Sequence, residues 1–338
     1  MTTPAFWKTS LEAVETAWRN ARRAEKRVLT ESAGGRPVYM LAYGPGNASP
    51  GKANFSSALG AHDRTCYKDA SGVRTLVLVG AEHGQETEGV AALMNLISLM
   101  ETGRDLAGRD DPVLLDALEG LRLVIVPVAN PDGRARVEPD GILGLTGRDL
   151  RYWGQGTWAD GSLCGWPECK SVHPMRGYGF LGGYFNDDGI NLVHDNFFHP
   201  MARETQALLD LFAAEKADLI LHLHGGSNDP GSLHQPPYVP LEVNEAIRDL
   251  SLRCLEVGAK EGLEFGVLPL PEQAQGENPP SFNLMCAAHH VCGAVSATYE
   301  SNECLVDEPG PHRTHAETIR MHMILFAEAA RMLKEGQA

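Results

Sequence analysis

Val79-Gly80-Ala81-Glu82-His83-Gly84-Gln85-Glu86 stands between two segments of different periodicity. Ahead of it, Val73 to Val79 ends in the unbroken apolar run Leu76-Val77-Leu78-Val79, which predicts a buried strand. Behind it, Val90, Leu93, Met94, Ile97 and Met100 recur at helical spacing. His83 and Glu86 therefore fall at a strand-to-helix junction, where an imidazole and a carboxylate can converge at the carboxyl end of a strand. Ligands bind at such ends in open α/β sheets. The pair alone is not diagnostic. In a chain with 13 His and 44 acidic residues, a helix-capping glutamate beside a solvated histidine explains it more simply.

Working outward, two more strands end in polar residues. Asp218 to Leu223 leads into His222-Leu223-His224-Gly225-Gly226, and Ala294 to Tyr299 ends at Glu300. A further buried strand, Leu121 to Val128, runs into the turn Asn130-Pro131-Asp132-Gly133. Val38 to Tyr43 is a strand stopped by Gly44-Pro45-Gly46, and Asn47 to Gly72 has the composition of a loop or extra hairpin. Helices are expected over Thr9–Arg27, Pro200–Ala214, Glu242–Glu261 and His315–Lys334. Arg134 to Asp188 carries many Gly, Trp and Tyr residues without periodicity, and long loops of this kind are usually functional. Leu268 to Pro280 is likewise irregular. Strands alternating with helices imply a mostly parallel or mixed sheet covered on both faces. No repeat or linker divides the chain, so residues 1–30 are expected to form an N-terminal helical extension and residues 31–338 a single domain.

The 338 residues are 43% hydrophobic and 22% charged, ordinary for a globular protein with a substantial core. Against 29 Lys and Arg stand 44 Asp and Glu, a net charge of −15 that leaves no broad basic field for nucleic acid or an anionic membrane. No signal peptide is visible, and no run approaches the roughly 20 apolar residues of a membrane span. The cytoplasm is the expected compartment. Cys66, Cys164, Cys169, Cys254, Cys286, Cys292 and Cys304 are odd in number and scattered, unlike a disulfide framework. Cys164 and Cys169 are near enough to pair or to join a second metal site, but no partner Cys-x-x-Cys accompanies them and free thiols are expected.

Catalytic zinc takes three protein ligands and keeps a fourth position for water, and two histidines with a glutamate form one such set. A nearby unligated carboxylate can then take a proton from water. Taken singly, His224 is as well explained as a loop histidine and Glu300 better explained as a solvated strand-end charge. Together with His83 and Glu86 they are harder to dismiss. The ordered set His83-x-x-Glu86, Asn130 to Gly133, His224 and Glu300, 76 residues after His224, resembles the zinc carboxypeptidase family of metallopeptidases. Gly35-Arg36-Pro37-Val38 resembles the opening of that family, and the likeness extends from Glu31 to about Ala330. The resemblance implies a three-layer α/β/α sandwich over a mixed, roughly eight-stranded sheet. It implies one zinc ion held by His83, Glu86 and His224, with Glu300 as general base and then as proton donor to the leaving amine. An arginine that stabilises the oxyanion is also implied. Arg176 lies 15 residues before Asn191 at a suitable spacing, with Arg148 and Arg151 as rivals.

Departures from the family pattern bear on the substrate. Where the family has Gly-Val-Asp-Leu-Asn-Arg-Asn-Phe, this chain has Gly189-Ile190-Asn191-Leu192-Val193-His194-Asp195 followed by Asn196-Phe197. The arginine that clamps a terminal carboxylate is absent, with His194 and Asp195 beside its place, and neither matches a bidentate guanidinium. Arg151, His194 and Asp195 are thus the candidate substrate-binding residues. His222 replaces an aspartate that normally supports the third zinc ligand, a change that weakens metal binding without abolishing it. Asn278 stands where the family's mobile tyrosine is expected, with Phe282 the nearest aromatic. His289 and His290, close to the last strand, read more readily as structural histidines than as site residues. The expected function is hydrolysis of a peptide or other amide bond, on a small peptide or an acylated amino acid. The alternatives are an N-acyl amino acid deacylase resembling the succinylglutamate desuccinylase and aspartoacylase branch, or a zinc-binding relative without turnover. Retention of Glu300 beside three ligands speaks against the last.

Overall fold

A computed structural model describes residues 3–46, 51–69, 72–271 and 280–337. In chain order the elements begin with α1 (Leu11–Asn20), β1 (Glu25–Glu31), β2 (Pro37–Tyr43), α2 (Phe55–Gly60), β3 (Thr75–Gly80), α3 (Glu88–Thr102) and α4 (Pro112–Leu118). They continue with β4 (Arg122–Val126), α5 (Pro131–Arg136), α6 (Gly147–Gly154), β5 (Gly156–Trp158), β6 (Tyr178–Leu181), α7 (Arg203–Glu215) and β7 (Leu219–Ser227). The last are β8 (Gly231–His234), α8 (Leu241–Lys260), β9 (Phe265–Gly266), α9 (Leu284–Cys292), β10 (Val295–Asn302) and α10 (His315–Lys334). Eight strands form one mixed sheet in the order β1-β2-β4-β3-β7-β10-β8-β9. Its centre, β4-β3-β7-β10, is parallel.

Side-chain alternation assigns each strand residue to a layer. Leu76 and Leu78 of β3, Leu123 and Ile125 of β4, and Leu219, Leu221 and Leu223 of β7 pack under α1, α3, α4, α8 and α10. Val77, Val79, Val124, Val126 and Ile220 face α2, α7 and α9. Both faces are buried, so these strands appear in the sequence as continuous apolar runs. The same parity has a consequence for function. His222 and His224 share the face of Ile220, and Ser296, Thr298 and Glu300 of β10 lie opposite that of Ala297 and Tyr299, which belong to the other layer. The expected three-layer α/β/α sandwich over a mixed sheet is what the chain forms.

The N-terminal segment differs from expectation. The helix begins at its Ser10 cap but ends at Asn20 rather than Arg27, and the backbone N–H groups of Arg22 and Arg23 turn away to donate to the Glu101 carboxylate. Residues Glu25–Glu31 then pair antiparallel with β2 as the edge strand of the main sheet. Residues 1–30 are therefore not a purely helical extension, and a boundary at residue 30 falls inside β1. An edge strand half in solvent lacks an apolar run, which is why its residues read as a charged helix. The irregular region between Arg134 and Asp188 contains α6 and the two-stranded β5–β6 sheet, built around its own small core of Cys164, Cys169, Met175, Leu181 and Phe185. Asn278 lies outside the described residues. No helix among them is long and apolar enough to cross a membrane.

Two motifs separated in sequence are bolted together by Asp132, which has no solvent exposure. Its carboxylate accepts hydrogen bonds from Ser32 Oγ (2.6 Å), Gly34 N–H (2.8 Å), Arg36 Nη1 (2.8 Å) and Asp187 N–H (3.2 Å). Burial alone would raise this carboxyl, but the hydrogen bonds, Ser32's foremost, hold it below the usual carboxylate range. A depressed folded-state value contributes stability above the unfolded value of about 4, and that stability is lost as the pH falls through the folded value. Asp132→Asn is expected to destabilise by about 2–3 kcal/mol at pH 7 and by less near pH 3, as read from urea midpoints at the two pH values. An equal loss at both would show that the charge contributes nothing.

Candidate metal centre

The site gathers at the carboxyl ends of β3, β7 and β10. Glu300 sits opposite His224 in the parallel register of β10 and β7, so 76 residues of chain return the two to adjacent positions on one face. Val79 lies opposite His222, which carries the loop after β3 directly over the end of β7. That loop is pinned from outside. Asn130 caps α5 through Gly133 N–H (2.8 Å), while its Nδ2 donates to the carbonyls of Glu82 and Gly183. Gly84 N–H donates to Gly183 O at 2.7 Å, and a Cβ at Gly84 would fall 2.1 Å from Arg134 N, so only glycine fits.

His83 and His224 turn their Nδ1 atoms toward the same carboxylate. His83 Nδ1 is 2.8 Å from Glu86 Oε1 and His224 Nδ1 is 2.8 Å from Glu86 Oε2. All three side chains are buried, at 3–4% exposure, and one donor atom from each lies within 4.8 Å of the others. Zinc bonds of about 2.0–2.2 Å span such a set, and two imidazoles with a carboxylate are a zinc donor set. The residues fit the ion. The outward nitrogens are held as well: His83 Nε2–H donates to Asn191 Oδ1 (3.2 Å), and His224 Nε2–H donates to Glu82 Oε2 (2.8 Å). Glu82 Oε1 accepts from His222 Nδ1–H at 2.6 Å. Tyr184 stacks flat on His83, with ring centroids 3.6 Å apart.

Burial alone would raise Glu86, but His83 and then His224 hold it below the usual range. Burial would lower His224, yet Glu86 and Glu82 lift it well above an ordinary histidine. Burial pushes the Glu300 carboxyl up to about 7, with His224 opposing and Glu86 and Glu82 reinforcing the rise. His194 goes the other way. Burial, then the positive Lys170, press its imidazole down to about 3, so it is neutral at working pH. Lys170 itself is lowered by burial, against the opposing influence of Cys169 and Glu300. This lysine, on the 3-10 turn Glu168–Ser171, is thus a cation within electrostatic range of both Glu300 and His194.

The remaining sequence candidates occupy various places. Arg176 is exposed, and its Nη1 donates to the carbonyls of Met175 (2.8 Å) and Asp188 (3.1 Å). Arg148 and Arg151 are exposed on α6. Both oxygens of the buried Asp195 accept backbone N–H groups, from Asn196 (2.7 Å) and Ala202 (2.9 Å), which is a structural duty. His289 and His290 bond the carbonyls of Ala294 and Tyr238 in the packing of α9. All seven cysteines are free, Cys164 and Cys169 among them. Two residues near the centre escaped the sequence reading, Glu82 and Lys170. A signal for Glu82 was present: His222, on a strand buried on both faces, needs a buried partner.

The family model for zinc carboxypeptidases matches residues 12–229, a span that includes His83, Glu86 and His224. The chain belongs to this family of zinc-dependent hydrolases. No curated protein matches it. Its fold is similar to that of a metallo-carboxypeptidase from Burkholderia cenocepacia, with TM-score 0.58 and 15% identity over 97% of this chain and 68% of that one. The metallo-carboxypeptidase from Pseudomonas aeruginosa, in complex with (2-guanidinoethylmercapto)succinic acid, gives 0.57 and 16% over 96% and 68%. Bovine thrombin-activatable fibrinolysis inhibitor gives 0.55 and 13% over 98% and 100%.

Proposed function

We propose that this chain is a zinc-dependent amidohydrolase that cleaves a peptide or other amide bond, with one zinc ion held by His83, Glu86 and His224. The observation that carries the proposal is the placement of Glu300 beside His224, a carboxylate free of the three ligands yet next to them. Zinc in this set supplies Lewis-acid polarisation and lowers the pKa of water. Glu300 takes the proton of the attacking water and returns it to the departing amine nitrogen. A carboxyl that burial has raised toward neutrality suits both halves of that transfer. Tyr184, flat against His83, keeps water off one face of the centre.

The substrate is not an ordinary free C-terminal peptide. His194 stands beside the clamp position and is neutral, so the guanidinium charge of the family pattern is lost there rather than exchanged for another. Lys170, whose charge is felt by both Glu300 and His194, is a further candidate cation, a point charge suited to a carboxylate or oxyanion held singly. Arg176 and Arg151 remain candidates for the same duty from the rim. The test is a matched pair of peptides, one with a free C-terminal carboxylate and one amidated, assayed with zinc and with chelator. Comparable rates for the two, both abolished by chelator, support the reading. A strong preference for the free acid means the carboxylate clamp has been rebuilt, and failure to cleave either excludes peptides.

A further inference from the structure

We propose that Glu82 is the positioning residue of the metal centre and that His222 is present to hold it. The inference rests on the zinc reading above. Its basis is a buried chain of side chains: Ser296 Oγ lies 3.1 Å from His222 Nε2, His222 Nδ1 is 2.6 Å from Glu82 Oε1, and Glu82 Oε2 is 2.8 Å from His224 Nε2. His222 and Ser296 have no solvent exposure, Glu82 has 1% and His224 4%. Only one ring orientation of His224 satisfies both ends, with Nε2–H on Glu82 and Nδ1 on Glu86. Glu82 therefore selects the tautomer that presents Nδ1 to the ion, and its negative charge raises the basicity of that nitrogen.

The arrangement also accounts for the departure at His222. A carboxylate supporting His224 is still present, but it reaches in from the loop after β3 instead of from β7. His222, two residues before His224 and on the same face, supplies the N–H that a carboxylate moved to position 82 requires. The two ligating histidines are then unequal. His83 leans on the neutral carbonyl oxygen of Asn191 at 3.2 Å, which also accepts Val193 N–H at 3.0 Å, whereas His224 leans on a full carboxylate. An outer partner of a metal-bound histidine commonly changes affinity 10–100-fold, and the charged one should sit at the upper end.

The experiment measures zinc dissociation constants by chelator competition for the wild type, E82Q and N191A, with the visible absorption of the cobalt-substituted proteins as a second readout. E82Q is isosteric and is expected to weaken zinc about 30–100-fold and to shift the cobalt spectrum. N191A is expected to weaken it by a smaller factor. A merely structural Glu82 would lower the melting temperature of E82Q with and without metal while leaving affinity and spectrum as in the wild type, and that result overturns the inference. Should E82Q not fold, H222Q carries the test. Releasing one oxygen of Glu82 should weaken zinc several-fold, and wild-type affinity in folded H222Q overturns the proposal. A wild-type protein that takes up neither zinc nor cobalt defeats the zinc reading itself, a different outcome.

Discussion

Glu300→Gln is expected to lower kcat by about 10²–10⁴-fold while zinc content and affinity stay those of the wild type. The substitution keeps shape and hydrogen-bonding capacity, so β10 still pairs Glu300's position with His224 and with Ser232 of β8. What it removes is a group that can accept a proton. The amide cannot take one from water, and among the described residues the other carboxylates around the centre are either engaged or sealed from water. Glu86 is committed to His83 and His224, and Glu82 to His222 and His224. Glu88 and Glu303 have no solvent exposure, so water does not reach them, whereas Glu300 keeps some. The loss should appear in kcat more than in KM, because proton transfer belongs to the transition state and not to substrate binding. Activity near wild type in a zinc-loaded E300Q would remove Glu300 from the mechanism. The same loss accompanied by loss of zinc would make it a ligand instead.

Much of this site was legible because the fold leaves few alternatives at its centre. β3, β4 and β7 are buried on both faces, so Leu76 to Val79, Leu123 to Val126 and Leu219 to Leu223 announce themselves as apolar runs, and a polar residue ending such a run is conspicuous. His83, Glu86, His224 and Glu300 were found that way. α10 was legible to the residue because Thr314 and Glu317 form a reciprocal cap and Lys334 closes the last turn. β1 was not legible, since an edge strand with charged residues facing water has no run to detect. α4, β8, β9 and α9 have no counterpart in the sequence reading, being short and dependent on neighbours that lie far away in the chain.

Residues that act by contact across the sheet were the hardest to see. Nothing in the spacing of Glu82 distinguishes it from any acidic neighbour of His83, and only the register of β3 against β7 brings it to His222 and His224. Asp132 is similar: the Asn-Pro-Asp-Gly turn was evident as a motif, as was Gly35-Arg36-Pro37-Val38. That one carboxylate joins the two could not be seen from either. Arg176 shows a different limit. Spacing alone nominated it, whereas the chain around it folds so that its guanidinium meets carbonyls of its own loop. Spacing locates a residue along the chain and says little about where a long side chain ends.

His224→Ala is expected to reduce bound zinc to a small fraction of that in the wild type and to bring hydrolysis to background. The loss should exceed the 10–100-fold typical of removing an outer partner, because a ligand goes together with its support. His224 is the imidazole shared by Glu82 and Glu86, and without it only His83 and Glu86 are left of the three ligands. The thermodynamic signature is separable from activity. Zinc at about 1,000 times its dissociation constant stabilises a folded protein by about 4 kcal/mol through mass action. The wild type should therefore show a clear rise in melting temperature on zinc addition, and H224A almost none. Circular dichroism establishes first that H224A is folded. Stoichiometric zinc in the folded variant, with the full rise in melting temperature, would mean that the third ligand lies elsewhere and that the convergence of Nδ1 atoms on Glu86 serves the fold alone.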